Sequence, residues 1–216
     1  MSFSRRCVIV AAGPCEDDPG RWIQPGDLVI AADAGYSALF ANGIIPDLIV
    51  GDFDSLDYVP DGIDKLVLPC EKDETDTWAA AMFAKDRGVN EVHILGGVGG
   101  RLDHTLANIQ LIAYLCEIGL PGYLYDSDMI YTVLSTKALI FSRGSTGLLS
   151  VFSYTETASG VSLQGVRYPL SKKTLCNTFP LGVSNELTGQ LARIKVTKGK
   201  LLVAFPNNIP FPCLDS

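Results

Sequence analysis

The sequence is poor in the residues that build zinc sites and disulfide frameworks. Its six cysteines are scattered and never form a CxxC pair, and only two histidines are available as further ligands. We therefore expect neither a zinc site nor a set of disulfide bonds. Thiols that are scattered in this way are typical of a reducing compartment, so a cytoplasmic location is expected.

Long apolar runs and an excess of basic residues are also missing. No stretch approaches the ~18 consecutive apolar residues of a membrane-spanning helix. The run CVIVAAG near the N terminus is too short for a signal peptide and fits a first β-strand better. Lys and Arg number 17 against 24 Asp and Glu, which gives a formal net charge of −7. We therefore expect neither a membrane nor a nucleic acid as a partner.

Strand-like and helix-like segments alternate along the first part of the chain. Apolar runs typical of strands are CVIVAAG, DLVIAAD, DLIVGDFDS, KLVLPC and EVHILGG, and GYLYDSDMIYTVL follows as further strand. Helical patterns are GYSALFANG, TDTWAAAMFAKDRG and RLDHTLANIQLIAYLCEIG, the last with an apolar face formed by Leu102, Leu106, Ile109 and Ala113. This alternation predicts an α/β fold with a mostly parallel sheet and helices on both faces.

The pattern changes after residue 138. Short apolar runs are then separated by Gly, Ser, Thr, Asn and Pro, and no helix is predicted. The segment TKGKL at 197–201 predicts a tight hairpin through Gly199. We therefore expect an α/β domain over residues 1–138 and a small all-β sandwich domain over residues 139–216.

Carboxylates follow most of the predicted parallel strands. They are Asp33, Asp52, Asp54, Asp73, Asp76 and Asp103. The carboxyl ends of parallel strands meet at one edge of a sheet, where so many acids repel one another unless a cation binds between them. Oxygen ligands select Mg²⁺, which pairs naturally with nucleotide phosphates. A single Asp after a strand is usually a turn or capping residue, so the hypothesis depends on the whole set.

The segment GGVGGRLDH indicates a phosphate site. Four glycines between a strand and a helix allow close backbone approach, and the helix N terminus adds N–H donors. Arg101 adds a cation, and His104 could touch a phosphate or a base. The alternatives are an ordinary tight turn, a surface salt bridge for Arg101 and a merely packed His104. Likewise, Thr75 and Asp76 could simply cap the helix that follows them.

The segments GDFDS, DETDTWAA and GGRLDHTLANIQLI, together with the later GVSNEL, resemble the thiamine pyrophosphokinase family nearly from end to end. The resemblance implies an α/β nucleotide-binding domain followed by a β-sandwich domain. It implies a homodimer with active sites at the subunit interface. It also implies transfer of a pyrophosphoryl group from ATP to the thiamine hydroxyl, which yields thiamine diphosphate and AMP.

The resemblance also implies roles for single residues. The Mg²⁺ ligands would be Asp52, Asp54, Asp73, Asp76 and Asp103. ATP would contact Thr75, Arg101 and His104. Asp33 is also expected to contact ATP, because of its position at the end of the second strand and not because of the resemblance. Thiamine would contact Ser184 and Asn185. The catalytic residues would be Asp54, Asp76, Asp103 and Arg101, with Asp76 or Asp103 accepting the proton of the thiamine hydroxyl.

These assignments make residues 1–138 the nucleotide- and magnesium-binding domain and residues 139–216 the thiamine-binding domain. Some members of the family stack thiamine against a Trp of the C-terminal domain. Here Trp22 and Trp78 both lie in the N-terminal half, which leaves open which side chain covers the thiamine rings.

Two other functions are compatible with parts of the pattern. LIVGDFDS resembles the D-x-D strand of haloacid-dehalogenase-like phosphatases, in which the first Asp is a nucleophile, but that function leaves GGRLDH unexplained. A nucleotide-sensing module whose β-domain binds a partner would not need six acids and an Arg. The products separate the three: AMP with a diphosphate ester, free phosphate, or no turnover.

Overall fold

The computed structural model describes residues 5–15, 18–52, 62–69, 71 and 73–215. The chain forms two compact units, Met1–Ser127 and Asp128–Ser216. The change from one unit to the other therefore comes before residue 138, where the sequence pattern changes.

The first unit is built on a parallel sheet. Its strands are β1 (Arg6–Val10), β2 (Leu28–Ala32), β3 (Leu48–Gly51), β4 (Asp64–Val67), β5 (Glu91–Leu95) and β6 (Gly122–Tyr125). Their order is β6-β5-β1-β2-β3-β4, and all neighbouring pairs are parallel. Side chains such as Ile9, Ile30 and Ile49 are fully buried, as expected for central strands that are covered on both faces. The predicted α/β fold is confirmed.

Among the described residues, three α-helices cover this sheet: α1 (Gly35–Ala41), α2 (Asp76–Asp86) and α3 (Leu102–Glu117). The chain moves in one direction from β2 to β4 and in the opposite direction from β4 through β5 to β6. A connection between two parallel strands through a helix is right-handed. The helices of the two directions therefore cover opposite faces, α1 on one face of the sheet and α2 and α3 on the other. No helix in the described ranges is long and apolar enough to cross a membrane.

The apolar face predicted for α3 is only partly correct. The side chains of Leu102 and Leu106 are 72% and 54% exposed, whereas Asn108, Leu111 and Ala113 are buried. The Asn108 amide donates a 2.8 Å hydrogen bond to the carbonyl oxygen of Gly97, in the turn after β5. A polar residue therefore belongs to the packed face of α3, because it satisfies a backbone group that burial removes from water.

The second unit consists of strands, and no helix occurs among its described residues. The strands are β7 (Met129–Leu134), β8 (Ala138–Phe141), β9 (Thr146–Ser153), β10 (Thr157–Gln164), β11 (Leu170–Cys176), β12 (Gly182–Thr188), β13 (Ala192–Lys195), β14 (Leu201–Pro206) and β15 (Cys213–Asp215). Two antiparallel groups form, β12-β9-β14-β7 and β11-β10-β13-β8-β15. The buried rings of Phe141 and Phe205, one from each group, meet edge to face at 5.3 Å. This is the sandwich that the sequence predicts.

Two local predictions are wrong in detail. GYLYDSDMIYTVL contains two strands, β6 in the first unit and β7 in the second, and β7 pairs with β14. TKGKL is not a hairpin, because β13 and β14 belong to different sheets. Gly199 has a φ of +86°, and a Cβ there would lie 2.5 Å from the carbonyl oxygen of Thr157. A glycine marks the change of direction but does not specify which strand pairs next.

Candidate active site

The strand order of the parallel sheet reverses between β1 and β5. Ligands of open α/β sheets bind outside the carboxyl ends of the strands at such a switch point. The turns that follow these two strands are tied together, since the Gly13 amide donates a 2.9 Å hydrogen bond to the Gly96 carbonyl. A Cβ on Gly13 would lie 2.4 Å from that same oxygen, so this close approach requires glycine.

A cavity of about 280 Å³ lies at this switch point, and we call it the switch-point cavity. Its lining includes Pro14 after β1, Gly99 and Gly100 after β5, and Tyr125 at the end of β6. Trp22 contributes a second aromatic wall, with its ring centroid 4.7 Å from that of Tyr125. The glycine turn singled out in the sequence therefore borders a real cavity. Two aromatic side chains to which the sequence patterns assign no role complete its lining.

Two of the expected carboxylates follow neighbouring strands at this carboxyl edge. Asp33 comes directly after β2 and donates its backbone N–H to the Val50 carbonyl at 2.8 Å. Asp52 comes directly after β3. Asp33 has a φ of +52°, an uncommon conformation that Asp and Asn tolerate better than most residues. Asp54 lies outside the described residues.

A second group of expected residues lies at the start of α2. The Thr75 hydroxyl accepts a hydrogen bond from the Trp78 amide at 3.2 Å, so Thr75 is the N-cap of α2, and Asp76 is in its first turn. Asp73 and Thr75 also line a cleft of about 270 Å³ with Gln110 of α3. The capping alternative for Thr75 is confirmed, and the same residue also borders this cleft.

Arg101, Asp103 and His104 come together at the start of α3. The Arg101 guanidinium binds both carboxylate oxygens of Asp103, with Nε and Nη2 at 3.1 Å and 2.5 Å. This contact lowers the pKa of Asp103 to about 2. The His104 amide donates to the same carboxylate at 3.0 Å. The guanidinium thus already holds an anion at an exposed site.

In the second unit, Ser184 and Asn185 have different environments. Asn185 is 3% exposed, and its amide holds the backbone of Tyr168 from both sides, accepting from N–H at 2.9 Å and donating to the carbonyl at 2.7 Å. Ser184 has a φ of +56°, and its amide donates to the Ser150 hydroxyl at 3.1 Å. Tyr168 is 56% exposed. Asn185 therefore fixes the backbone of Tyr168, an exposed aromatic residue that the sequence did not single out.

The donor set at the carboxyl edge has the chemistry that Mg²⁺ requires. Asp52, Asp73 and Asp76 offer carboxylate oxygens, the hard ligands that Mg²⁺ prefers. Within the described ranges, no three His, Cys, Asp or Glu side chains converge into a metal site. Asp54, which the sequence places beside Asp52, is not part of those ranges. The residue types therefore fit a magnesium ion.

The chain is similar to known proteins over most of its length. A family model described as thiamin pyrophosphokinase, catalytic domain, matches residues 21–120, and another described as thiamin pyrophosphokinase, vitamin B1 binding domain, matches residues 140–201. The thiamine pyrophosphokinase of Bacillus subtilis is 29% identical over 204 residues, which are 90% of this chain and 95% of that protein.

Solved structures agree with this similarity. A crystal structure of thiamine pyrophosphokinase from Bacillus subtilis matches with a TM-score of 0.86 and 26% identity, over 94% of this chain and 100% of that one. A thiamin pyrophosphokinase from Geobacillus thermodenitrificans matches with a TM-score of 0.81 and 25% identity, over 94% and 98% of the two chains. Both family models match, in the order catalytic then vitamin B1 binding, and the chain belongs to the thiamin pyrophosphokinase family.

Proposed function

We propose that the family's reaction, transfer of a pyrophosphoryl group from ATP to thiamine, takes place at the carboxyl edge of the parallel sheet. The chain is an enzyme of this kind, a thiamine diphosphokinase. One observation supports this location above all: the switch-point cavity, its glycine turn and the acids Asp33 and Asp52 occupy the same edge of the sheet. Thiamine diphosphate and AMP are the products.

ATP binds with its base in the switch-point cavity and its phosphates toward the glycine turn. Gly99 and Gly100 allow close backbone approach there, and the aromatic walls offer a surface on which a base can stack. Arg101 and His104 follow that turn at the start of α3 and contact the phosphates. Asp33 and Thr75, at the end of β2 and the start of α2, complete the nucleotide site. These contacts remain our proposal.

The residues that would hold Mg²⁺ are Asp52, Asp54, Asp73, Asp76 and Asp103. When bound, the ion neutralises negative charge on the phosphates. Asp103 must first separate from Arg101, which holds both of its oxygens. Arriving phosphates offer Arg101 a more highly charged partner with the same bidentate geometry, so nucleotide binding releases the Asp103 carboxylate.

The residues of the chain contribute mainly position and charge to the reaction. The thiamine hydroxyl oxygen attacks the β-phosphorus, a new O–P bond forms, and the bond to the oxygen of the leaving AMP breaks. The hydroxyl proton passes to a carboxylate, Asp76 or Asp103. Arg101 donates hydrogen bonds to phosphate oxygens whose charge increases during transfer.

Thiamine binds through the second unit, at Ser184 and beside Tyr168. Asn185 acts indirectly here, because its amide is already committed to the Tyr168 backbone. The thiazolium ring carries a permanent positive charge, and an exposed aromatic ring attracts such a cation. Tyr168 is thus our candidate for the side chain that covers thiamine in a chain with no Trp in this region.

We also infer a homodimer in which each active site combines the first unit of one chain with the second unit of the other. Apolar side chains that are open to solvent support this inference, namely Leu102 and Leu106 on α3 and Leu148 and Val183 on β9 and β12. A two-fold dimer buries the same patches on both subunits.

The cytoplasmic location and the domain roles on either side of residue 138 also remain predictions.

The activity is tested by incubating the purified chain with ATP, thiamine and Mg²⁺ and separating the products by chromatography. AMP and thiamine diphosphate should appear in equal amounts, and omission of Mg²⁺ should abolish both. Asp52→Asn should lose turnover, whereas Asp86→Asn, at the exposed end of α2, should retain it. Free phosphate alone would favour the phosphatase alternative, and nucleotide binding without turnover would favour the sensing module.

A further inference from the structure

A buried histidine lies in the middle of β5, behind the switch-point cavity. His93 is 1% exposed, and its ring lies between two tyrosines of β6, with centroid distances of 5.1 Å to Tyr123 and 5.7 Å to Tyr125. Its Nδ1 is 2.8 Å from the Tyr125 hydroxyl, and its Nε2 is 3.3 Å from Oε1 of Glu91. Three polar side chains therefore form a row, Glu91–His93–Tyr125, that ends at the cavity.

One assignment of protons suits the charges of this row, in which the 2.8 Å contact with Tyr125 is a hydrogen bond and the 3.3 Å contact with Glu91 is an electrostatic one. Burial lowers the pKa of His93, so the ring is neutral at pH 7, and contact with His93 lowers the pKa of Glu91, which remains a carboxylate. A carboxylate only accepts hydrogen bonds, so the Nε2 of His93 carries the ring proton. Nδ1 is then an acceptor, and the Tyr125 hydroxyl donates to it.

This row determines the position of an aromatic wall. Tyr125 lines the switch-point cavity and packs against Trp22 at 4.7 Å with an interplanar angle of 57°. A comparable polar contact holds Trp22, whose carbonyl accepts a 2.8 Å hydrogen bond from Arg6, itself paired with Asp27 at 2.9 Å. Polar contacts thus hold the hydroxyl of one aromatic wall, Tyr125, and the backbone of the other, Trp22.

We propose that His93 is a positioning residue for the nucleotide: through the Tyr125 hydroxyl it fixes the ring against which the base of ATP stacks. The inference rests on the proposed function, because it takes the switch-point cavity as the base site. A buried polar side chain in a central strand is unfavourable unless its contacts offset desolvation. A ring that is already fixed loses less conformational freedom when a base packs on it, and this lowers the cost of binding.

The test is a double-mutant cycle on the holoenzyme. His93→Phe keeps an aromatic ring beside Tyr123 and removes the acceptor, and Tyr125→Phe keeps the wall and removes the donor. Each change should raise KM for ATP about threefold to tenfold, the loss expected for one hydrogen bond. KM for thiamine and kcat should stay within about twofold. The double variant should match the single variants, since all three lack the same bond.

Tyr123→Phe is the matched control. It removes a hydroxyl from the other tyrosine beside His93, which is not among the described residues that line the cavity, and it should leave KM for ATP unchanged. If His93→Phe does not fold, Tyr125→Phe and Tyr123→Phe still make the comparison. Additive effects in the double variant, or equal losses in both tyrosine variants, would overturn the inference.

Trp22→Ala distinguishes this inference from the proposed function. If it leaves ATP binding unchanged, measured by calorimetry with Mg²⁺ present, the cavity is not the base site and both proposals are overturned. If Trp22→Ala weakens ATP binding and neither His93→Phe nor Tyr125→Phe does, the nucleotide site stands and the positioning role of His93 is wrong. Weaker ATP binding in Trp22→Ala, His93→Phe and Tyr125→Phe supports both the location of the base site and the positioning role of His93.

Discussion

At the scale of single residues, Gly35 shows how closely α1 approaches β1. A Cβ at this position would lie 1.9 Å from the carbonyl oxygen of Val10, which belongs to the central strand of the sheet. The strand and the helix must separate to admit even one methyl group. Because this helix follows Asp33, such a shift would also move the carboxyl edge.

Gly35→Ala should therefore lower the free energy of unfolding by more than about 3 kcal/mol, or prevent folding. Gly43→Ala is the control, because Gly43 has a φ of +68° and open space where a Cβ would be. At Gly43 only the backbone conformation is unfavourable for alanine, so the free energy of unfolding should fall by about 1 kcal/mol. Urea denaturation of both variants makes the comparison, and similar losses would contradict the close contact.

His93 also predicts how stability depends on pH. Its folded pKa is lowered from 6.5 by burial, so below pH 6.5 the unfolded chain binds a proton that the folded chain does not. The free energy of unfolding should therefore fall as the pH decreases from 6.5. The charged or titratable groups that influence it are Glu91, Arg6 and Asp27, and the lowered pKa of Glu91 acts with the same sign at lower pH.

Urea denaturation between pH 8 and pH 5 measures this dependence. His93→Phe removes the titrating group, so its stability should change less with pH between 6.5 and 5 than that of the unmodified chain. An unchanged slope in the variant would mean that other groups cause the acid sensitivity.

At the scale of elements, α2 connects capping with the proposed site. Thr75 accepts the Trp78 amide at the helix N terminus, where one of the first N–H groups otherwise lacks an intrahelical partner. Thr75→Ala should lower the free energy of unfolding by about 1 kcal/mol, whereas Thr75→Ser should preserve it. Thermal unfolding measures the difference, and equal stability of the two variants would show that the cap contributes little.

The same pair of variants separates the two roles of Thr75. If the hydroxyl also contacts ATP, Thr75→Ala should raise KM for ATP beyond what its lower stability explains at a temperature where both variants are folded. Thr75→Ser, which keeps the hydroxyl, should not. A normal KM for Thr75→Ala would leave Thr75 as a cap alone.

At the scale of the whole molecule, charge is distributed unevenly. The first unit contains 20 Asp and Glu against eight Lys and Arg, and the second contains four against nine. Opposite net charges favour the approach of the first unit of one chain to the second unit of another. This asymmetry is compatible with the inferred homodimer with shared active sites.

Subunit exchange tests that arrangement. Asp52→Asn should inactivate the metal site, and Tyr168→Ala should weaken thiamine binding without disturbing the buried Asn185. In a mixed dimer with shared sites, one site carries both changes and the other carries neither. Activity should return to about half of the unmodified value per mixed dimer.

Mixing Asp52→Asn with Asp76→Asn is the control, because both changes affect first units and no site is restored. Mass spectrometry should verify that subunits have exchanged. If mixed dimers of the first pair form and remain inactive, each chain completes its own site.

Much of this organisation follows from local sequence patterns. The apolar runs of β1, β2 and β3 and the Ala-rich stretch of α2 predict their own secondary structure, because strand and helix periodicities are short-range properties. The acids after β2 and β3 and the glycines after β5 are adjacent in sequence to those strands, so their place at the carboxyl edge follows once the strands are parallel. The family motifs then predict the reaction.

What the sequence could not determine depends on contacts between distant segments. Trp22 and Tyr125 meet only because β6 and the loop after β1 come together around the switch point, and the strand order comes from pairing along the whole chain. Gly199 lies between β13 and β14, and these strands belong to different sheets because pairing with distant strands decides where each one goes. The buried face of α3 includes Asn108 because its amide donates a hydrogen bond to the Gly97 carbonyl. Hydrophobic periodicity cannot predict a buried polar residue of this kind. Local patterns thus specified the elements and the acids, and tertiary packing decided which side chains form the walls of the cavity.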